Sequence, residues 1–312
     1  MIMNGEGGEL VRGVTVPVIT PLAPVGGTMR PDAAGLEKLY GAFAAAGIRR
    51  IMLLGSNGEG PLVPTQWLQP FVRDAVAAWH AYGPDHTIVV NVTAPGTAEV
   101  LLRAEAIADA GADGLVCSPP TYFRHRDDEV IKHFAAITAL GRPVIIYNSP
   151  TYATPLTKGS LAGLLELPGI VGMKDSSGDP EQFRTMIDSA HAAGVGIAQG
   201  GETVALSALQ SGADGIVLGI ANLAPRPVAE LWAAFRGGRT EDASTAQKLI
   251  TELVGVHQIR RGVPTVKALL AARGVLPYED SLPPLIACDA DERRRLLDLV
   301  QPHDEALINS AA

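Results

Sequence analysis

The chain is expected to fold as an α/β protein, a (β/α)8 TIM barrel with a C-terminal helical extension. Three observations point there. Short apolar runs rich in Val and Ile alternate with amphipathic stretches. Each run opens into a loop rich in Gly, Ser, Asn and Pro. Eight such runs follow one another before residue 225, the strand count of a closed barrel of parallel strands covered by helices.

The runs cover residues 14–21, 50–55, 87–93, 114–118, 144–147, 170–174, 196–199 and 215–219. Helical periodicity fills 33–46, 66–82, 97–110, 127–140, 181–193 and 202–210 between them. Two helix-to-strand corners share a phrase, Ala110-Gly111-Ala112-Asp113-Gly114 and Ser211-Gly212-Ala213-Asp214-Gly215, in which a glycine ends the helix. Beyond residue 225 the pattern is helical only, at 227–235, 240–258, 264–273 and 291–306, with a link at Leu282-Pro283-Pro284. The expected organisation is a flexible N-terminus over 1–12, a catalytic barrel over 13–238 and a helical domain over 239–312. A doubly wound sheet fits less well, because no GxGxxG follows the first strand.

Composition narrows the function. With 25 basic against 33 acidic residues the net charge is −8, and no basic run offers a footprint for nucleic acid. Arg293-Arg294-Arg295 follows Asp289, Asp291 and Glu292 and reads as a solvated helix face. The two cysteines form no CxxC pair, and Cys117, inside an apolar run, reads as a buried thiol. Residues 1–12 lack the apolar core of a secretory signal, and no stretch reaches the roughly 20 apolar residues of a membrane span. A cytoplasmic location is the default expectation. The seven histidines make no HxH or HExxH pattern and no GxSxG occurs, so metal and Ser/His/Asp chemistry are disfavoured.

Lys174 is the most informative residue. It closes the apolar run 169–173 and precedes Asp175-Ser176-Ser177-Gly178-Asp179. An amine at the mouth of a hydrophobic core favours its uncharged form and can attack carbonyl carbon. Taken alone, it could equally be a strand-end lysine reaching solvent. In a barrel the active site lies at the C-terminal strand ends, which marks two more loops. After the second strand, Gly55-Ser56-Asn57-Gly58-Glu59-Gly60 can admit a small anion to its backbone, a carboxylate fitting better than a phosphate. It could also be a plain βα turn. After the fifth, Tyr147-Asn148-Ser149-Pro150 sets a phenol beside the lysine, as a proton carrier or as a rim tyrosine of the core. Pro119-Pro120-Thr121-Tyr122-Phe123-Arg124 reads as a stiff interface or lid segment.

GSNGE, YNSP and GMKDSSGD, in this order on these strands, resemble the dihydrodipicolinate synthase/N-acetylneuraminate lyase superfamily, over residues 13 to at least 300. The opening Val14-Thr15-Val16-Pro17-Val18-Ile19-Thr20-Pro21-Leu22 is similar to its first strand. The resemblance implies a Schiff-base lyase or aldolase without metal or organic cofactor. Lys174 would form an iminium with pyruvate or a related 2-oxo acid. Tyr147 would shuttle protons, linked through Ser56 to Tyr122 of a neighbouring subunit, so a dimer or tetramer is implied. Asn57 and nearby amides would hold the substrate carboxylate. Gly55, Gly200, Val217 and Tyr152 would complete the substrate pocket.

Two departures bear on the substrate. Ser56-Asn57 stands where many relatives carry two threonines, and the GSNGE form is similar to the 4-hydroxy-2-oxoglutarate aldolase branch. Dihydrodipicolinate synthases carry a carboxylate-gripping arginine after YNxP, where this chain has Tyr152; a phenol does not replace a guanidinium. Arg124 and Arg126 lie on another loop from which a cation could come. The expectation is therefore an aldolase joining pyruvate to a small aldehyde such as glyoxylate. Dihydrodipicolinate synthesis, 2-keto-3-deoxy sugar acid chemistry and a silent 2-oxo acid binder follow in that order.

Overall fold

The structure, a computed structural model, describes residues 7–309. Eight parallel strands close a barrel: β1 Gly13–Pro17, β2 Arg50–Leu53, β3 Thr87–Asn91, β4 Gly114–Cys117, β5 Val144–Asn148, β6 Ile170–Asp175, β7 Gly196–Gln199 and β8 Gly215–Val217. Each pairs with its neighbours in sequence, and β8 pairs with β1. All eight expected runs are strands, because a parallel strand buried on both faces is apolar throughout.

The barrel helices are α1 Glu37–Ala45, α2 Leu68–His80, α3 Thr97–Ala106, α4 Asp127–Thr138, α5 Lys158–Leu165, α6 Pro180–Ala192, α7 Ala205–Gln210 and α8 Pro225–Arg236. After them come α9 Thr240–Val254, α10 Val256–Ile259, α11 Val263–Ala272 and α12 Ala290–Val300. No helix among the described residues is long and apolar enough to cross a membrane.

Two elements differ from expectation. The first run leaves the barrel at Pro17 and leads into an antiparallel hairpin, Leu22–Val25 with Thr28–Pro31. Gly26 and Gly27, at φ 57° and 79°, make its tight turn. The second is α5, which the periodicity did not reveal. Its glycines, Gly159 and Gly163, weaken helix propensity, but Thr157 and Ser160 form a capping box that starts it.

The repeated phrase builds the same corner twice. Asp113 Oδ2 accepts from the Ile88 amide at 2.7 Å and sits 3.1 Å from His80 Nε2. Asp214 Oδ2 accepts from the Ile197 amide at 2.9 Å and sits 2.9 Å from His191 Nε2. In each, one carboxylate ties a helix end to an edge of the neighbouring strand.

The floor of the barrel corrects the expected N-terminus. Residues 1–6 of the 1–12 segment lie outside the described residues, but Gly7–Leu10 forms a 3-10 turn and Val11 is buried inside the barrel. A Cβ on Gly172 or Gly196 would come within 2.6 Å of the Val11 methyl groups. Two side-chain-free positions on adjacent strands thus make the hole that Val11 fills, burying an apolar side chain for about 1.5–3 kcal/mol.

Candidate active site

At the other end of the barrel, Lys174 and Tyr147 are register partners on β6 and β5, each only 6% exposed. The Lys174 ammonium nitrogen lies 4.2 Å from the centre of the Tyr147 ring. Burial alone would raise the Tyr147 phenol, but the Lys174 charge and hydrogen bonds from Ser149, Ser176 and Ser56 outweigh it, and its pKa is lowered below the ordinary 10.0. The result is an acidified phenol beside a primary amine. Ser149 and Ser176 lay inside the quoted YNSP and KDSS motifs, yet reading the sequence assigned them no role.

Gly200 explains why Lys174 has room. A Cβ there would stand 2.8 Å from Lys174 Cε and collide with Ser176 Oγ. Next along β6, fully buried Asp175 accepts from Asn148 Nδ2 at 2.7 Å and from Ser177 Oγ at 2.8 Å, which fixes the loops beside the lysine. Burial raises the Asp175 carboxyl, and those donors oppose the rise. Glu202, partly buried, accepts from the Ile220 amide at 2.6 Å. Burial raises its carboxyl against the pull of the Ile220 and Gly219 amides and the Lys174 charge. No sequence motif marked it.

The loop after β2 is a tight turn. Gly58 and Gly60 amides donate to the Gly55 carbonyl at 2.9 and 3.2 Å, and the Glu59 amide to Ser56 at 3.3 Å. Gly60 is required: a Cβ there would run into the Leu54 carbonyl. The Ser56 and Asn57 amides keep no backbone partner among the described residues. The Asn57 amide group lies against Gly219, where a Cβ would come within 2.7 Å of Nδ2. Gly55 packs on Met52, and Val217 faces the barrel interior with Tyr147 and Ala198.

Below this loop Glu59, 2% exposed, pairs with fully buried Lys267 of α11 at 2.5 Å and accepts from the Leu282 amide at 2.5 Å. Lys267 also donates to the Asp280 carbonyl at 2.8 Å. Burial lowers the Lys267 ammonium, and Glu59 opposes that fall. The C-terminal helices are thereby bonded to the turn that borders the site.

A cavity of about 410 Å³ opens beside Tyr147, lined by Ser56, Tyr147, Ser149 and Tyr152 on the barrel side and by the start of α11. Lys174, Asn57, Gly55, Gly200 and Val217 are not among its lining residues, and Tyr147 is the link between it and Lys174. Tyr152 is 62% exposed at its edge. Tyr122 is not in its own barrel's cavity: it is 87% exposed, at φ 81°, with its ring edge-on to Phe123 at 4.8 Å. A left-handed backbone at an aromatic residue costs roughly 1–3 kcal/mol. Cys117, the last residue of β4, and His133 of α4 face each other at 3.6 Å between strand and helix. Burial raises the thiol to about 12 and lowers the imidazole to about 4, and neither faces the cavity. Among the described residues no three His, Cys, Asp or Glu side chains are grouped to hold a metal ion.

The sequence profile described as the Dihydrodipicolinate synthetase family matches residues 10–303. The chain belongs to this family. It is therefore a lyase. Among family relatives, an uncharacterised DapA-like lyase of Halobacterium salinarum is 32% identical over 260 residues, 80% of this chain and 81% of its own. The 4-hydroxy-tetrahydrodipicolinate synthase of Salinibacter ruber is 30% identical over 277 residues, 87% and 84% of the two chains. A prophage protein of the family from E. coli K12, solved in complex with pyruvate, has the same fold at TM-score 0.87 and 22% identity, over 94% of this chain and 98% of that one.

Proposed function

We propose that this family member is a class I aldolase that makes or cleaves the C–C bond between pyruvate and a small aldehyde such as glyoxylate, in the manner of a 4-hydroxy-2-oxoglutarate aldolase. The observation that carries the reading is the buried Lys174 amine 4.2 Å from the ring of an acidified Tyr147, in space that Gly200 leaves open.

In the synthetic direction the Lys174 nitrogen adds to the pyruvate C2 carbonyl. Tyr147 protonates the departing hydroxyl, water leaves, and an iminium forms. The cation draws electrons from C3, whose proton is lost to give an enamine. C3 then adds to the aldehyde carbon, the new alkoxide takes a proton, and water returns to release product and free Lys174. Ser56 sits on the proton path, and Tyr122 of a neighbouring subunit completes it, in a dimer or tetramer. The free Ser56 and Asn57 amides, with the Asn57 side chain, receive the pyruvate carboxylate. Gly55, Gly200 and Val217 shape its pocket, and Tyr152 borders the aldehyde. The E. coli K12 neighbour's complex supports pyruvate as donor.

One observation favours a second reading. The cavity wall carries Asn91, Thr93, Ser118, Thr121 and Ser149, enough hydrogen-bonding groups for a polyhydroxylated chain such as a 2-keto-3-deoxy sugar acid. Dihydrodipicolinate synthesis ranks below both, because Tyr152 offers no fixed charge to aspartate semialdehyde.

Borohydride reduction in the presence of pyruvate, followed by peptide mass spectrometry, tests the mechanism. A pyruvyl adduct on Lys174 is expected. An adduct formed only with longer 2-oxo sugar acids would favour the second reading, and none with any 2-oxo acid would sink both.

A further inference from the structure

We infer that Arg261 holds the distal carboxylate of the substrate, so that this site takes a 2-oxo acid bearing a second carboxylate. The inference deepens the aldolase reading and rests on it for the fate of the other end of the molecule.

Three arginines other than Arg261 lie near enough in sequence or loop position to compete for the role, and each is committed. Arg124 donates to the Ala153 carbonyl at 2.7 Å. Arg126 is exposed and forks onto Asp128 at 2.7 and 3.0 Å. Arg260 binds Glu292 at 3.1 and 3.3 Å and the Ile286 carbonyl at 2.8 Å. Arg261 alone of the four lines the cavity, and it has no hydrogen bond or ion pair among the described residues.

The charge count within the cavity sharpens this. Only Glu59 and Arg261 among its lining residues carry a full charge, and Glu59 is already neutralised by Lys267 and bonded to the Leu282 amide. Arg261 is therefore the one uncompensated charge among the residues that line the cavity. A guanidinium meets a carboxylate with two parallel hydrogen bonds, a match that neither the Tyr152 phenol nor the serine and threonine hydroxyls of the wall provide.

The mount of Arg261 is rigid although its side chain is free. Thr265 Oγ1 donates to the Arg260 carbonyl at 2.6 Å, Gly262 turns the chain at φ 85°, and Lys267, two residues beyond Thr265 on α11, is locked to Glu59. The backbone that carries this exposed side chain is therefore fixed, and only the side chain's own rotamers are ordered when a ligand arrives.

The test is calorimetric titration of the full chain with 2-oxoglutarate and with 2-oxopentanoate, which has the same carbon count and no distal carboxylate. The wild type is expected to prefer 2-oxoglutarate by roughly 10- to 100-fold. Arg261→Gln should abolish that preference and leave 2-oxopentanoate binding unchanged, while Arg261→Lys keeps part of it. An undiminished preference in Arg261→Gln overturns the inference, and so does an equal loss for both ligands. Lys174→Ala, titrated alongside, cannot form an imine. If the preference persists there while pyruvate gives no adduct on wild-type Lys174, Arg261 keeps its role and the aldolase reading falls.

Discussion

The two ends of strand β6 use the barrel interior in opposite ways. At the floor Gly172, with Gly196 beside it, withholds a side chain so that Val11 can enter and close the hole. Two residues on, at the mouth, Lys174 fills the interior itself, and Gly200, the residue just past the neighbouring strand, withholds a side chain to give it room. The same absence seals one end with apolar contact and keeps the other open around an amine. Stability and chemistry are thus separated by about two residues' rise along one strand, roughly 6–7 Å.

Breaking the mouth should abolish turnover while leaving the fold. Lys174→Ala is expected to lower kcat by roughly 10⁴-fold or more, with an unchanged or higher melting temperature. Steady-state kinetics and calorimetry on one preparation check both halves.

Tyr147→Phe should cost kcat about 10²- to 10⁴-fold. Its pH profile is more telling. Because the Tyr147 pKa is lowered, its proton is lost as pH rises through a value below 10.0, and wild-type kcat should fall on the alkaline side before an ordinary tyrosine would titrate. Tyr147→Phe should lack that limb; a limb that persists would assign it to another group.

Gly200→Ala presses a methyl group on Lys174 Cε and Ser176, and a displacement of this kind is expected to cost roughly 10²-fold in kcat. Gly196→Ala, the matching change at the floor, should leave kcat almost untouched and lower unfolding free energy by about 1–3 kcal/mol. Val11→Ala alone should cost less, about 1–2 kcal/mol by urea denaturation. In the Gly196→Ala background it should cost least, because the shortened side chain relieves the collision. Additive losses in the double variant would mean that Val11 and Gly196 do not share the hole.

What the sequence revealed divides along similar lines. The eight strands were legible because burial on both faces leaves only apolar residues, and the three loop motifs were legible because they end strands in an order a barrel can gather. The hairpin was hidden by Pro24 and Pro31, which break a strand pattern, although Gly26-Gly27 signalled the turn. Val11 was hidden because a Gly- and Glu-rich segment has the composition of a loose end, and only the glycines far along the chain explain its burial. His86 and His133, which belong to no motif, are buried against Trp79 and Cys117. Arg261 was hidden because it belongs to no motif; its meaning comes from what its neighbours have already bonded. Ser149 and Ser176 could have been found, since each lies two residues past one already singled out, Tyr147 and Lys174.

The Glu59–Lys267 pair sets a limit on how this protein can change over generations. A gene shortened after α8 would encode a barrel whose buried Glu59 has neither its lysine nor the Leu282 amide, and a stranded buried charge costs about 3–5 kcal/mol. Recombination that exchanges the terminal helices meets the same barrier unless the newcomer brings a lysine at the matching depth. A change that removes Lys267 or Leu282 from the terminal region therefore has to be matched by a change at Glu59 in the barrel.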